Sequence, residues 1–85
     1  MSVVLEAGTI HLRGASAVED AEVLLGLLQA DPPPPVDLRA ADGLHAAVVQ
    51  VLMALRPGII GPTNDPFVNQ WVLPMLATRP ADESN

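Results

Sequence analysis

Hydrophobic and polar residues alternate near the start of the chain, a pattern typical of strands. Residues Val3 to Leu5 are apolar, and residues Glu6 to Gly8 supply a turn in which the glycine is free to take a positive φ. Between Thr9 and Arg13 every second residue is aliphatic, which places the apolar side chains on one face of a strand. We predict a β-hairpin that buries one face and ends at Gly14.

A spacing of three and four residues between apolar positions predicts the first helix, from Ala17 to about Ala30. The apolar positions of this helix are Val18, Ala21, Leu24, Leu25 and Leu28. Ser16 and Glu19 have the spacing of a capping box, in which the hydroxyl accepts from the Glu19 amide and the carboxylate reaches back. The proline run from Pro32 to Pro35 stops the helix, because proline lacks the backbone N–H and disfavours helical geometry in the residue before it.

The middle of the chain joins a short apolar strand to an apolar helix. Residues Val36 to Leu38 predict a central strand, a loop follows from Arg39 to Gly43, and the helix runs from Ala46 to Leu55. Apolar residues cover most of the circumference of this helix, so it must pack against the sheet and also against a second surface, in this chain or in a partner. A proline and a glycine end the helix, and Ile59-Ile60 predicts a further short strand.

A last helix is predicted to begin at the capping residues 63–66. In it Phe67, Trp71 and Met75 form one stripe, and Pro74 is expected to kink or end the helix within a turn. Our first interpretation is that the two aromatic residues pack in the core. The alternative is an exposed aromatic anchor, because tryptophan is enriched at the energetic centres of protein interfaces.

The composition predicts one small domain with an apolar surface. We expect residues 1–79 to form a single domain and residues 80–85 to form a disordered tail. Hydrophobic residues make up 49% of the 85 residues, more than a domain of this size buries completely. We therefore expect an exposed apolar interface, occupied by a protein partner or by a second copy in a homodimer.

The formal net charge is −6, and the four basic residues are scattered arginines that form no basic patch. This balance argues against binding to nucleic acid and to anionic membrane surfaces, because both attract basic proteins. The longest apolar run is shorter than the roughly 20 residues that span a bilayer, so no membrane insertion is expected. No secretory signal is recognisable in the sequence, and a cytoplasmic location is the expectation.

The residues available for catalysis are few, which predicts a protein that is not an enzyme. Lysine, tyrosine and cysteine are absent, and the sequence contains no nucleophile motif, no phosphate-binding glycine loop and no zinc-protease motif. His45 and Asp42 have the spacing of a base with its orienting carboxylate, or of half a metal site, but a histidine at a helix start is usually inert. No cofactor and no metal are expected.

The order strand, strand, helix, strand, helix, strand, helix, with Val36-Asp37-Leu38 leading into an apolar helix, resembles the STAS domain, the fold of anti-sigma-factor antagonists. The resemblance implies an α/β fold with a small mixed sheet of about four strands and helices packed mainly on one face. By position, the aspartate and the phosphorylated serine or threonine of that family fall on His45 and Ala46, and Ala47 follows. A phosphoryl switch of the family type is not expected, because no hydroxyl is present there.

The resemblance also implies a function and a site. The function is that of a small non-catalytic module that binds a bacterial signalling partner, a kinase-like or other ATPase, as in partner-switching or chemotaxis pathways. STAS-like proteins are also accessory subunits of lipid-trafficking ABC transporters, and a carrier of a small apolar ligand is a further alternative. The partner-binding residues carried over by position are Arg39, Asp42, Gly43, His45, Ala46, Val49 and Gln50.

Overall fold

Five strands and three helical regions make up the part of the chain that the computed structural model describes, residues 2–77. The predicted tail at residues 80–85 lies outside the described residues. The elements are β1 Ser2–Glu6, β2 Thr9–Ala15, α1 Val18–Leu28, β3 Val36–Asp37, β4 Ala41–Gly43, α2 Ala46–Leu55, β5 Ile59–Ile60, a π-helical segment Val68–Val72 and α3 Leu73–Ala77. The π-helical segment and α3 are continuous, and we refer to them together as the last helix.

The sheet is mixed, with the order β1-β2-β3-β5. The pair β1 and β2 is antiparallel, whereas β2 pairs in parallel with β3, and β3 in parallel with β5. The prediction that the strand at Val36 is central is therefore confirmed, as is the mixed α/β class. The fifth strand, β4, lies inside the stretch predicted as a loop, and it pairs in parallel with the end of β2.

The hairpin turn contains two residues in the left-handed region, Ala7 with φ of 51° and Gly8 with φ of 78°. Positive φ at both central residues is what a two-residue hairpin needs for its twist to match that of the strands. The strand after the turn does not end at Gly14 as predicted. It continues to Ala15, because the Gly14 N–H donates to the Ala40 carbonyl at 2.9 Å and the pairing with β4 extends the sheet.

One hydrophobic core lies between the sheet and both long helices. Its fully or almost fully buried members are Ile10, Leu12, Leu24, Leu28, Val36, Leu38, Ala41, Val48 and Leu52. Because side chains from α1 and α2 share this core with the alternate residues of β2, both helices cover the same face of the sheet. The side chains of the intervening residues of β2, such as His11 and Arg13, lie on the opposite, polar face. The helices thus pack on one face, as expected.

Two details of α1 differ from the prediction. The N-cap residue is Ala17, whose backbone N–H donates to Oδ2 of Asp20 at 2.7 Å, so the capping box predicted for Ser16 and Glu19 is wrong. Val18 and Leu25, predicted as apolar contacts of the helix, are 55% and 39% exposed. The burial of Ala21, Leu24 and Leu28 places the contact face of the helix on a narrower stripe than the apolar pattern suggested.

The last helix corrects our first interpretation of the aromatic residues. Phe67 and Trp71 are 63% and 58% exposed, so they are not core residues, and Val68 is the buried residue of this segment. Pro74, which was expected to kink or end the helix within a turn, lies inside α3, and the structure describes α3 as far as Ala77. Proline has no N–H to donate to the carbonyl four residues earlier and its ring would clash there. The chain takes a π-helical turn before it, in which the Leu73 N–H donates to the Val68 carbonyl.

Candidate partner-binding site

The start of α2 is capped by a histidine. The His45 backbone is extended, its Nδ1 atom accepts a hydrogen bond from the Ala47 N–H at 3.0 Å, and its carbonyl accepts from Val48 and Val49. The imidazole therefore performs the role that serine, threonine or aspartate usually performs at an N-cap. Asp42 does not orient this ring, because its Oδ1 atom instead accepts from Nδ2 of Asn64 at 3.0 Å. The pairing of His45 with Asp42, which their spacing allowed but which was not expected, is not formed.

Hydrogen bonds of Ser16 connect the loop before α2 to the start of α1. Its hydroxyl accepts a hydrogen bond from the His45 N–H and donates to the Gly43 carbonyl at 3.2 Å. The Ser16 N–H donates to the same carbonyl at 3.1 Å. Three hydrogen bonds thus hold Gly43 and His45, both of them predicted site residues, in a fixed position. The sequence suggested a local helix cap for this serine and gave no signal of a contact so distant along the chain.

A second hydrogen-bond network fixes the loop that enters the last helix. Asn69 accepts from the Thr63 N–H at 2.7 Å through Oδ1 and donates to the Thr63 carbonyl at 2.9 Å through Nδ2. Asp65 caps the helix by accepting from the Phe67 N–H at 2.9 Å, and the Asn64 N–H donates to the Ala41 carbonyl at 2.9 Å. The loop is therefore held against β4, next to the start of α2.

Between these two fixed segments lies an apolar groove of about 340 Å³. Its lining residues, which define the groove from here on, are Leu44, Ala46, Val49, Gln50, Asp65, Phe67, Val68 and Val72. Ala46, Val49 and Gln50 are predicted site residues, and the structure brings them together. Gly43 lies beside the groove, since a Cβ atom at this position would be 3.6 Å from Oδ2 of Asp65.

The exposed side of the last helix continues the groove as an aromatic stripe, which consists of Phe67, Trp71 and Met75. These side chains are 63%, 58% and 47% exposed. Large apolar side chains that adjoin one another on a surface usually mark a binding site, and tryptophan is enriched among the residues that dominate binding energy. The sequence pattern located the stripe and favoured the core, with an exposed aromatic anchor as the alternative, and the exposure of both aromatic side chains agrees with that alternative.

Arg39 lies away from the groove, in a polar cavity of about 360 Å³ on the open face of the sheet. Its guanidinium binds both carboxylate oxygens of the buried Asp37, at 3.1 and 2.8 Å, and its N–H donates to the same carboxylate at 2.9 Å. Nδ1 of His11 is 3.4 Å from the carboxylate. The hydrogen bonds from Arg39 lower the pKa of Asp37 to about 2, and the carboxylate in turn raises the pKa of Arg39.

Within residues 2–77, no three histidine, aspartate or glutamate side chains are grouped so that they could hold a metal ion. Among the same residues, no helix is both long enough and apolar enough to cross a bilayer. Comparison of the chain with protein-family models, with curated proteins and with solved structures finds no match.

Proposed function

We propose that this chain is a small non-catalytic, STAS-like protein-binding module that regulates a bacterial signalling partner, a kinase or another ATPase, without a phosphorylatable switch residue. The observation that carries the proposal is the apolar groove at the start of α2 with the aromatic stripe beside it. Both parts belong to one surface, and the groove coincides with three residues chosen as partner contacts from the sequence.

The rigidity of the groove walls supports a protein-binding role. The hydrogen bonds of Ser16 fix one wall, and the Thr63–Asn69 pair fixes the other. A preformed surface loses little conformational entropy when a partner binds, so more of the contact energy appears as affinity. The exposed aromatic side chains add large contact areas with few rotatable bonds.

The chemistry at the helix start supports a partner that is bound without phosphorylation. Ala46 and Ala47 occupy the positions at which the resembled family carries its hydroxyl, and neither side chain has an oxygen. A phosphate at this place would add charge and disrupt an apolar contact. Without a hydroxyl that can be phosphorylated, the module stays in one binding state. The fraction of the module that is bound then depends only on the concentration of the partner.

The test is capture of the partner from the native host by the tagged full chain, by a variant and by a matched control. The variant is Phe67→Ser with Trp71→Ser, which removes the aromatic stripe. The control is Val23→Ser, which removes an apolar side chain that is 49% exposed on α1. We expect a stoichiometric complex with a kinase or ATPase subunit for the wild type and for the control, and its loss for the variant. A complex that survives in the variant would contradict this assignment of the surface.

A carrier of a small apolar ligand is the second candidate. A cavity of about 450 Å³ lies between α3 and residues 57–61, which include β5, and Ile59, Leu73 and Leu76 contribute to its lining. The accessory-subunit role in a lipid-trafficking ABC transporter would combine such a ligand with an ATPase partner. Native mass spectrometry of the purified chain distinguishes the two candidates. A lipid that co-purifies in stoichiometric amount favours the carrier. A complex with an ATPase and no bound lipid favours the regulator.

A further inference from the structure

We infer that the aromatic stripe joins two copies of this chain in an antiparallel homodimer whose two-fold axis passes beside Trp71. The inference goes beyond the proposed function, because it assigns a specific occupant to the stripe when the signalling partner is absent. It depends on the order of side chains along the stripe and on the charges at its two ends.

The order of the three side chains along the stripe suits a two-fold axis. Trp71 lies four residues after Phe67 and four residues before Met75, so it is the midpoint of three exposed side chains. When two such stripes meet antiparallel, Trp71 faces its own copy, and Phe67 of each chain faces Met75 of the other. Contacts between a thioether and an aromatic ring are favourable, and here each would be made twice. An isologous contact of this kind closes on itself.

Two charged groups on the described part of this surface are also complementary under this rotation. α2 and the last helix run in the same direction, because the groove joins their starts while Nη1 of Arg56 donates to the carbonyls of Met75 and Leu76 near their ends. Asp65 therefore lies at one end of the surface, and the guanidinium of Arg56 lies at the other. An antiparallel second copy brings each carboxylate towards the partner's guanidinium end, whereas a parallel copy would bring like charges together.

The area of the stripe predicts a reversible dimer rather than an obligate one. The exposed parts of three large side chains supply on the order of 300 Å² per chain, since a whole aromatic side chain buries about 150–250 Å². Two stripes together therefore bury on the order of 600 Å², which is below the roughly 1,200 Å² of stable interfaces and within the range of transient ones. We expect a dissociation constant in the high micromolar range, so that a dedicated partner can displace the second copy.

The chain contains no cysteine, which allows a clean crosslinking test of this geometry. Two single-cysteine full-length chains, Phe67→Cys and Met75→Cys, are oxidised separately and as an equimolar mixture, with Val23→Cys as the control for random collision. We expect the mixed disulfide to form at least fivefold faster than either self-disulfide and faster than the control. Trp71 is intact in each chain, so the centre of the interface is retained.

Light scattering and tryptophan emission of the wild type complete the test. The molar mass should rise from monomer to dimer across micromolar concentrations, with a shift of the Trp71 emission to shorter wavelength in the wild type. Trp71→Ser, which removes the only tryptophan of the sequence, should abolish the rise in molar mass. Asp65→Asn keeps the cap acceptor but removes the charge, and it should weaken the dimer, while added salt should do the same to the wild type.

Three outcomes would overturn the inference. They are a strictly monomeric wild type, a dimer that persists in Trp71→Ser, and crosslinking in which the self-disulfides form as fast as the mixed one. The first outcome leaves the proposed function intact, because the stripe then stays free for a different protein. Capture of an ATPase that is insensitive to the loss of the stripe would contradict the assignment of that partner to this surface, and failure to capture any kinase or ATPase would overturn the proposed function; both leave the homodimer standing.

Discussion

The hydroxyl of Ser16 and the backbone N–H of His45 are hydrogen-bonded to each other although 29 positions separate them in the sequence. This contact, with the bond from the same hydroxyl to the Gly43 carbonyl, ties the start of α1 to the start of α2. It places the groove relative to the rest of the fold.

The first prediction concerns this contact. Ser16→Ala leaves the His45 N–H and the Gly43 carbonyl without the hydroxyl, and it should lower the free energy of unfolding by about 1–2 kcal/mol, the typical value for two hydrogen bonds in a partly exposed site. Chemical denaturation measures the change. Glu19→Gln is the control, and it should have almost no effect because the capping box is not formed. A larger loss for Glu19→Gln than for Ser16→Ala would restore the capping-box interpretation.

The second prediction is a pH dependence that originates in Asp37. The pKa of this carboxyl falls from 3.8 to about 2 in the folded protein, so its ionised form stabilises the fold above about pH 4, and this contribution is lost as the pH falls from 4 to 2. Asp37→Asn should lower the free energy of unfolding by about 1–2 kcal/mol at pH 7. The loss should be smaller than the full pKa shift would give, because water screens the exposed Arg39 guanidinium.

Urea denaturation of both proteins between pH 2 and pH 7 measures the effect. The stability difference between wild type and Asp37→Asn should shrink towards zero as the pH approaches 2. Arg39→Gln should remove much of the same pH dependence, because it removes the main cause of the lowered pKa. A difference that stays constant over the whole range would show that Asp37 acts through packing.

The third prediction separates the buried and exposed sides of the last helix. Val68→Ala should destabilise the protein by about 1–3 kcal/mol, since Val68 is 3% exposed and its truncation leaves a cavity. Trp71→Ala should change stability by less than about 1 kcal/mol, because the indole is mostly in contact with water. Thermal unfolding, followed by circular dichroism, compares the stabilities of the two variants at a concentration below that of self-association. A larger loss of stability for Trp71→Ala than for Val68→Ala would show that Trp71 is a core residue.

The fourth prediction tests the floor of the groove. Ala46 is exposed at the start of α2, so Ala46→Glu can extend into solvent, and a carboxylate at the positive end of the helix should alter stability favourably, by about 0.3–1 kcal/mol. The same change should weaken binding of the captured partner tenfold or more, which corresponds to about 1.4 kcal/mol. Ala54→Glu, near the other end of α2, is the control. Unchanged affinity with a folded protein would exclude the groove as the docking surface.

The fifth prediction concerns phosphorylation. Incubation of the chain with the host's kinase and ATP should add no phosphoryl group at the start of α2, because Ala46 and Ala47 offer no oxygen and Nδ1 of His45 already accepts from Ala47. Intact-mass measurement, followed by peptide mapping under conditions that preserve phosphohistidine, detects any addition. A phosphorylated His45 would require a different account of how the module is regulated.

The sequence was sufficient to predict features that depend on short periods. The alternation around Ile10 and Leu12 predicted a half-buried strand, and both side chains are fully buried. Val36-Asp37-Leu38 predicted a central strand, and Val36 and Leu38 are fully buried in the core while Asp37 faces the other side of the sheet. The bounds of α2 followed from the length of its apolar run and from the proline behind it.

The features that the sequence did not predict depend on contacts between distant segments. A stripe of Phe67, Trp71 and Met75 shows that the three side chains share a face, but not whether that face meets the sheet or the solvent. The residues of β4 have no strand propensity of their own, and they become a strand only because the end of β2 lies beside them. The Thr63–Asn69 pair likewise requires a loop to fold back on the helix that follows it.

The two edges of the sheet differ in what they offer to another strand. β5 has two residues between Pro57-Gly58 and Gly61-Pro62, and proline has no N–H with which to extend a ladder. β1 is the opposite edge and presents five residues of backbone. Among the described strands, β5 is therefore a poor template for edge-to-edge pairing, and β1 offers the longest one. Resistance of the domain to fibre formation thus depends mainly on its N-terminal hairpin. A partner that docks on the helices leaves this edge of the sheet uncovered.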